Sequence, residues 1–389
     1  MSITTPGGFR AAGVAAGLKA SGGSDVALVV NDGPLKHAAA VFTTNRVAAA
    51  PVLWSRQVVS DGRVDAVVLN SGGANACTGP EGFANTHRTA EVTADLLGVS
   101  AADVFVCSTG LIGEQLPMDK LLAGVSEAAG NLSSGGGPAA AEAIMTTDTV
   151  SKEARYPASP DTASEGYSIG GMAKGAGMLA PGLATMLVVL TTDAVLPPAQ
   201  LDAALRAAVR VSFDRTDADG CMSTNDTVVL LASGASGATP DPDQFTSALT
   251  GLCLDLASQL ITDAEGASHT IAITTVRAAS EADAETVGRA VARSNLFKTA
   301  IFGNDPNWGR VLAAVGTTDA AFEPDRLNVS MNGVQICRNG GIGDSRDLVD
   351  LSGREVTVEI DLAAGTASAT IWTNDLTHEY VHENSAYSS

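Results

Sequence analysis

Apolar positions along this chain recur at two spacings, and these sort it into strands and helices. Runs of strand length stand at Asp25 to Val30, Ala39 to Thr43, Ala66 to Leu69 and Val104 to Cys107, while Ala84 to Leu97 and Met118 to Ala129 carry apolar residues at helical spacing. The second half repeats the style. Helical patterns cover Pro198 to Val211, Asp241 to Thr262 and Glu281 to Ser294, and strand-like runs cover Val228 to Ala232, Thr270 to Thr275, Glu355 to Ile360 and Ala367 to Thr373. Ser133 to Pro138 and Tyr156 to Tyr167 are rich in turn formers and read as loops. Strand-like sequence resumes directly after the second, so neither reads as a domain linker. No repeat of fixed period is visible. The pattern predicts a mixed α/β chain with helices layered on sheets and both sheet faces covered.

One border in this pattern is sharp. From Gly170 to Thr185 the chain carries five glycines and Pro181, a composition that builds turns, and Met186 to Leu190 are then all apolar, as in a buried strand. Thr185 is thereby placed at the mouth of a central strand behind a glycine-rich loop that holds Lys174. It is either an ordinary strand threonine or a residue whose bond to Ala184 is cut. In the second case its new α-amino group stands beside its own hydroxyl and can take the Oγ proton. Cys107-Ser108-Thr109-Gly110 reads as a strand entering a glycine turn, a plain turn or one that presents an N–H and a hydroxyl to an oxyanion. Asn70 to Gly79 follows a strand without an immediate helix-opening pattern. Neither glycine cluster has nucleotide-loop spacing.

Composition narrows the function classes. The 389 residues favour two domains or one large one, and 45% hydrophobic content supports a sizeable core. The net charge of -20, without any basic run, argues against nucleic acid and anionic membranes as partners. Five scattered cysteines without a Cys-x-x-Cys pair predict reduced thiols in a cytoplasm and neither a disulfide frame nor a zinc site. No apolar run approaches spanning length and no signal-like N-terminus is present, which predicts a soluble protein. Of five histidines none is near Thr185 in sequence, and His378 and His382, four apart in a strand-like tail context, read as solvated rather than metal-binding.

Several segments together resemble one family. Asn70-Ser-Gly-Gly-Ala-Asn75-Ala-Cys-Thr-Gly79, Cys107-Ser-Thr-Gly110-Leu-Ile-Gly, Met145-Thr-Thr-Asp148, the run from Gly171 through Ala184-Thr185 to Asp193, Ser223-Thr-Asn-Asp226-Thr, Asp263-Ala-Glu265-Gly266, Asp305-Pro-Asn-Trp-Gly-Arg310 and Glu383-Asn-Ser-Ala-Tyr-Ser-Ser389 resemble, in order and over nearly the whole chain, blocks of the ornithine acetyltransferases, the glutamate N-acetyltransferases of arginine biosynthesis. The resemblance implies an αββα-type sandwich like that of N-terminal nucleophile enzymes, cut between Ala184 and Thr185 into chains 1–184 and 185–389. It implies Thr185 as nucleophile, Thr109 and Gly110 as the oxyanion pair, and Thr146, Lys174, Thr185, Glu265, Asn384 and Ser389 as substrate contacts. The implied reaction moves acetyl from N-acetylornithine to glutamate, giving ornithine and N-acetylglutamate. No cofactor or metal is implied, acetyl-CoA is an alternative acetyl donor in some members, and two cut pairs are expected to associate as a heterotetramer. A self-cleaving aminopeptidase or amidase is the alternative enzyme, although such relatives use Ser at the cut, and an uncut binding protein is the non-catalytic one.

Overall fold

The computed structural model describes residues 3–157, 166–178 and 186–386. Ala184, Thr185 and Ser389 lie outside the described residues. Contacts divide the chain into two compact units, the first made of Met1–Ala176, Gly182–Asp214 and Met222–Leu260, the second of Gly177–Pro181, Arg215–Cys221 and Ile261–Ser389.

The first unit carries strands β1 (Phe9–Val14), β2 (Val26–Asn31), β3 (His37–Phe42), β4 (Ala66–Ser71), β5 (Val104–Thr109), β6 (Lys152–Tyr156), β7 (Ile169–Lys174), β8 (Leu187–Thr192) and β9 (Thr227–Ala232). Its helices are α1 (Ala50–Val58), α2 (Gly79–Leu97), α3 (Met118–Gly130), α4 (Gly137–Ala143), α5 (Pro198–Val211) and α6 (Pro242–Thr262), whose last two residues fall in the second unit. The strands form two sheets, ordered β1-β2-β4-β5 and β3-β9-β8-β7-β6. Side chains alternate between faces along a strand, so Val67 and Leu69 of β4 meet Leu187, Val189, Val229 and Leu231 of the other sheet. Ala66 and Val68 face the opposite way, onto Ala90 and Ala94 of α2 and Val125 of α3. On the far side Leu252 and Leu256 of α6 lie over β7. The layers run α, β, β, α, as expected, and every residue of β2, β4, β5, β7, β8 and β9 is buried.

The second unit is a sheet covered by helices on one face. Strands β10 (Thr270–Ala278), β11 (Asn328–Met331), β12 (Val334–Arg338), β13 (Gly341–Ile342), β14 (Glu355–Asp361) and β15 (Ala367–Asn374) are ordered β13-β12-β11-β14-β10-β15, with α7 (Glu281–Ala292), α8 (Asn295–Phe302), α9 (Trp308–Val315) and α10 (His378–Ala386). Ile271, Ile273, Val356, Val358 and Ile360 pack on Val287, Val291, Phe297 and Val311, while Glu355, Thr357 and Glu359 on the other face of β14 are exposed. Coverage of both sheet faces therefore holds for the first unit and not for this one.

Four local readings change. The glycines at 170 and 171 lie inside β7 and not in a loop, and at Gly171 α6 needs the room: a Cβ there would come within 2.9 Å of Leu256 Cδ1 and 3.0 Å of both Leu190 and Leu252. Helix α2 opens at once after the Asn70 block, at Gly79 with Pro80 in its first turn, a start that suits proline's fixed φ. The end of the Ser133 to Pro138 loop likewise opens α4, which packs so closely on β1 that a Cβ on Gly13 would meet the Ala139 carbonyl at 2.0 Å. The tail, Ser385 included, is helical through residue 386, started by Thr377, whose hydroxyl accepts the Tyr380 N–H at 3.0 Å and donates to the Gly266 carbonyl at 2.7 Å. His378 on this helix stands edge-on to Phe302, and among the described residues no cluster able to hold a metal ion occurs. No helix of the described residues is long and apolar enough to cross a membrane.

Candidate active site

In the first unit the strand register gathers chemistry at one edge of the sandwich. Lys174, the last residue of β7, pairs with Leu187, the first of β8; Leu187 pairs with Thr227, the first of β9, which also pairs with Phe42, the last of β3. The residues just outside this row, Met186 and Asp226, are therefore neighbours. The other sheet contributes the end of β5. There α1 covers the edge strand, with Trp54 Nε1 donating to the Val104 carbonyl at 3.0 Å and Ser55 Oγ bonding both the N–H and the carbonyl of Val106. Asn225 fastens the two sheets at this edge, its Nδ2 donating to the Ser108 carbonyl at 2.8 Å and the Ala74 carbonyl at 2.6 Å.

Lys174 joins two other residues singled out in the sequence. Its Nζ donates to Thr146 Oγ1 at 2.6 Å and Thr109 Oγ1 at 3.4 Å, and all but 1% of its surface is covered. A charge so buried needs an anion. Asp148 supplies it, 4.0 Å from Lys174 and 2.6 Å from a second buried lysine, Lys152. The same carboxylate accepts the Thr146 N–H at 2.9 Å and the Gly175 N–H at 2.7 Å. Burial pushes the Asp148 carboxyl up, but Lys174, Lys152 and the N–H donors outweigh it and bring it down to about 2. Asp148 stays ionised and holds both ends of the Lys174–Thr146 pair.

The Lys174 contact occupies an acceptor side of the Thr109 hydroxyl, and among the described residues nothing accepts the hydroxyl's own proton, which leaves it as a donor. Gly110 follows at φ 129°, and a Cβ there would sit 2.5 Å from Gly73 N, so only glycine fits this turn. Asp226 Oδ1 accepts the N–H of Met186 at 3.1 Å, holding the residue that follows Thr185 in the chain.

In the second unit Asn384 Nδ2 on α10 donates to Glu265 Oε2 at 2.9 Å. Gly266 (φ 61°) lets α10 approach, since a Cβ there would lie 2.3 Å from Tyr380 N, and Gly177 similarly leaves 2.5 Å for a Glu265 carboxylate oxygen. Sequence reasoning thus located two sets that the fold assembles, Thr109–Thr146–Lys174 and Glu265–Asn384. It did not single out Asp148, Lys152 or Asp226, which the fold places against these residues or beside Met186. A signal was present: an aspartate ends each hydroxyl-rich block, Met145-Thr-Thr-Asp148 and Ser223-Thr-Asn-Asp226, and the second block runs directly into the buried strand β9.

The chain is similar over its whole length to two proteins named arginine biosynthesis bifunctional protein ArgJ. It is 65% identical to that of Streptomyces coelicolor and 66% identical to that of Thermobifida fusca, each over 389 residues, with all of both chains covered. Among solved structures, ornithine acetyltransferase complexed with ornithine from Mycobacterium tuberculosis is 55% identical and superposes with a TM-score of 0.43, covering 48% of this chain and 96% of that one. The ArgJ family model matches residues 10–389, and with that extent and that identity the chain belongs to the ArgJ family.

Proposed function

We propose that this chain is a glutamate N-acetyltransferase of arginine biosynthesis that works through an acetyl ester on Thr185, after cutting itself between Ala184 and Thr185. In the cut enzyme the α-amino group of Thr185 takes the Oγ proton, and Oγ adds to the acetyl carbonyl of N-acetylornithine. The Thr109 hydroxyl and the Gly110 N–H steady the oxyanion. Ornithine leaves with a proton, glutamate's amine attacks the ester in its place, and N-acetylglutamate departs. Lys174 beside Thr146 receives a substrate carboxylate, Glu265 the α-ammonium of ornithine, and Asn384 and Ser389 complete the contacts. Acetyl-CoA is a second acetyl donor. Chains 1–184 and 185–389 remain one folded pair, two pairs associate, and the enzyme works in the cytoplasm.

The observation that supports this most is the meeting of Lys174, Thr146 and Thr109 around one ammonium at the sheet edge where β8 begins, one residue after Met186. A hydroxyl with its proton free to donate, next to a cation suited to a carboxylate, is the equipment of an acyl transfer to an amino acid. The test is acetyl transfer from N-acetylornithine to glutamate, read against acetate release, together with intact mass. Two fragments meeting at Ala184/Thr185 and transfer well above hydrolysis are expected. Active material containing only the full-length chain, or acetate release alone, refutes the reading. Thr185→Ala, lacking the Oγ that must accept the acyl group, stays uncut.

A further inference from the structure

The buried carboxyl of Asp226 has no part in the transfer chemistry above, and its surroundings give it one elsewhere. The residue has none of its surface exposed. Oδ1 accepts the Met186 N–H at 3.1 Å, while Oδ2 is fully enclosed and has no hydrogen-bond partner among the described residues. A buried polar atom left in this state costs stability and asks for a reason. Met186 N is bonded to the carbonyl carbon of Thr185 and so lies three covalent bonds from the nitrogen of the Ala184–Thr185 peptide, the atom that must leave when that bond is cut.

We propose that Asp226 is the acid of self-cleavage, giving its Oδ2 proton to the Thr185 nitrogen as the Ala184–Thr185 bond breaks. Thr185 Oγ adds to the Ala184 carbonyl carbon, forming a C–O bond; the C–N bond then breaks and the nitrogen's electron pair takes the proton from Asp226. The proton shed by the attacking hydroxyl returns to the Asp226 carboxylate, so the acid is unchanged over the shift. Water then hydrolyses the Ala184 ester. The inference rests on the reading of Ala184–Thr185 as a self-cleaving bond.

The charge environment favours an acid there. Burial pushes the Asp226 carboxyl well above the ordinary carboxylate range, against the Met186 N–H, the Ser223 hydroxyl and the Lys174 ammonium, which pull it down. Lys174 on β7 is a charged side chain acting on it. From α1, Arg56 reaches this edge but donates to the Thr43 carbonyl at 2.7 Å, and Thr43 N–H in turn holds the Asp226 carbonyl at 2.9 Å.

The test follows the full-length chain from synthesis. Freshly translated wild-type and Asp226→Asn chains are sampled over time by intact mass, with hydroxylamine present to intercept the ester. Asparagine keeps an acceptor for the Met186 N–H and cannot transfer a proton, so a purely positioning role leaves cutting intact. An acid role slows it by roughly 10²- to 10⁴-fold, with Asp226→Glu recovering part of the rate. Cutting of folded Asp226→Asn at the wild-type rate overturns the proposal. If that variant does not fold, the wild-type pH profile decides: the shift slows as rising pH ionises the carboxyl, and a rate that is flat or rises with pH overturns it. Wild-type chain that is never cut refutes the self-cleavage reading itself, an outcome distinct from a failure of Asp226 alone.

Discussion

Replacing Asp148 by asparagine should both weaken the first unit and loosen the site. A carboxyl brought from its ordinary 3.8 down to about 2 makes its ionised form stabilise the fold by roughly 2–3 kcal/mol. Because the folded value is the lower one, this contribution is complete above pH ~4 and disappears as the pH falls toward about 2. Asparagine costs more than that figure. It leaves Lys152 and Lys174, 0% and 1% exposed, without the anion between them, and one-sided removal from a buried ion pair costs about 3–5 kcal/mol. At roughly 2–4 °C per kcal/mol for a unit of this size, the melting midpoint at pH 7 falls by roughly 10 °C. Calorimetry at pH 7 and at steps from pH 5 to 2 measures both effects, and Lys152→Met in the same chain should recover part of the loss by removing one stranded cation. In the transfer assay the variant raises the KM for glutamate, since Lys174 and Thr146 lose their shared anchor. A midpoint within 2 °C of wild type, with an unchanged acid limb, would show that Asp148 does not hold this cluster.

Thr109→Ala should lower kcat by roughly 10²- to 10³-fold if its hydroxyl donates to the oxyanion, with normal turnover refuting the assignment. Deleting residues 384–389 should leave the Ala184/Thr185 cut intact while transfer to glutamate drops, because Asn384 and its contact with Glu265 go; full-rate transfer by the truncated enzyme would remove the tail from the site. Gly171→Ala should destabilise the first unit by about 1–3 kcal/mol, as three leucine side chains crowd the new methyl, and a denaturant midpoint equal to wild type would contradict the packing described for α6.

What the sequence disclosed depended on how local its signal was. The apolar run after Thr185 became β8, and Met118 to Ala129 became α3 almost to the residue, because spacing along one segment suffices for both. Strand β7 was hidden, since it contains two glycines and the reason for one of them, Gly171, lies in Leu252 and Leu256 of α6, far along the chain. The tail helix was hidden for a related cause: its first-turn cap, Thr377, is fixed in place by the carbonyl of Gly266. Among the candidate site residues, Thr109, Thr146 and Lys174 were read from resemblance, whereas Asp148 shows its partners only once the loop after α4 meets the ends of β6 and β7, and Asp226 only once register sets β8 beside β9. A lone aspartate at a strand border looks like any turn former until its partners are known.

The order of the second sheet also decides what the enzyme would be after the cut. Strands β3, β7 and β6 precede residue 184 and β9 and β8 follow it, yet the ladder runs β3-β9-β8-β7-β6. Each piece would be stitched to the other along two full six-residue seams, β3 to β9 and β7 to β8. Such fragments have no separable faces, so neither can be exchanged between molecules while folded. Melting the cut enzyme would set free two polypeptides instead of one, and its midpoint would climb with protein concentration while that of an uncut Thr185→Ala precursor stayed put.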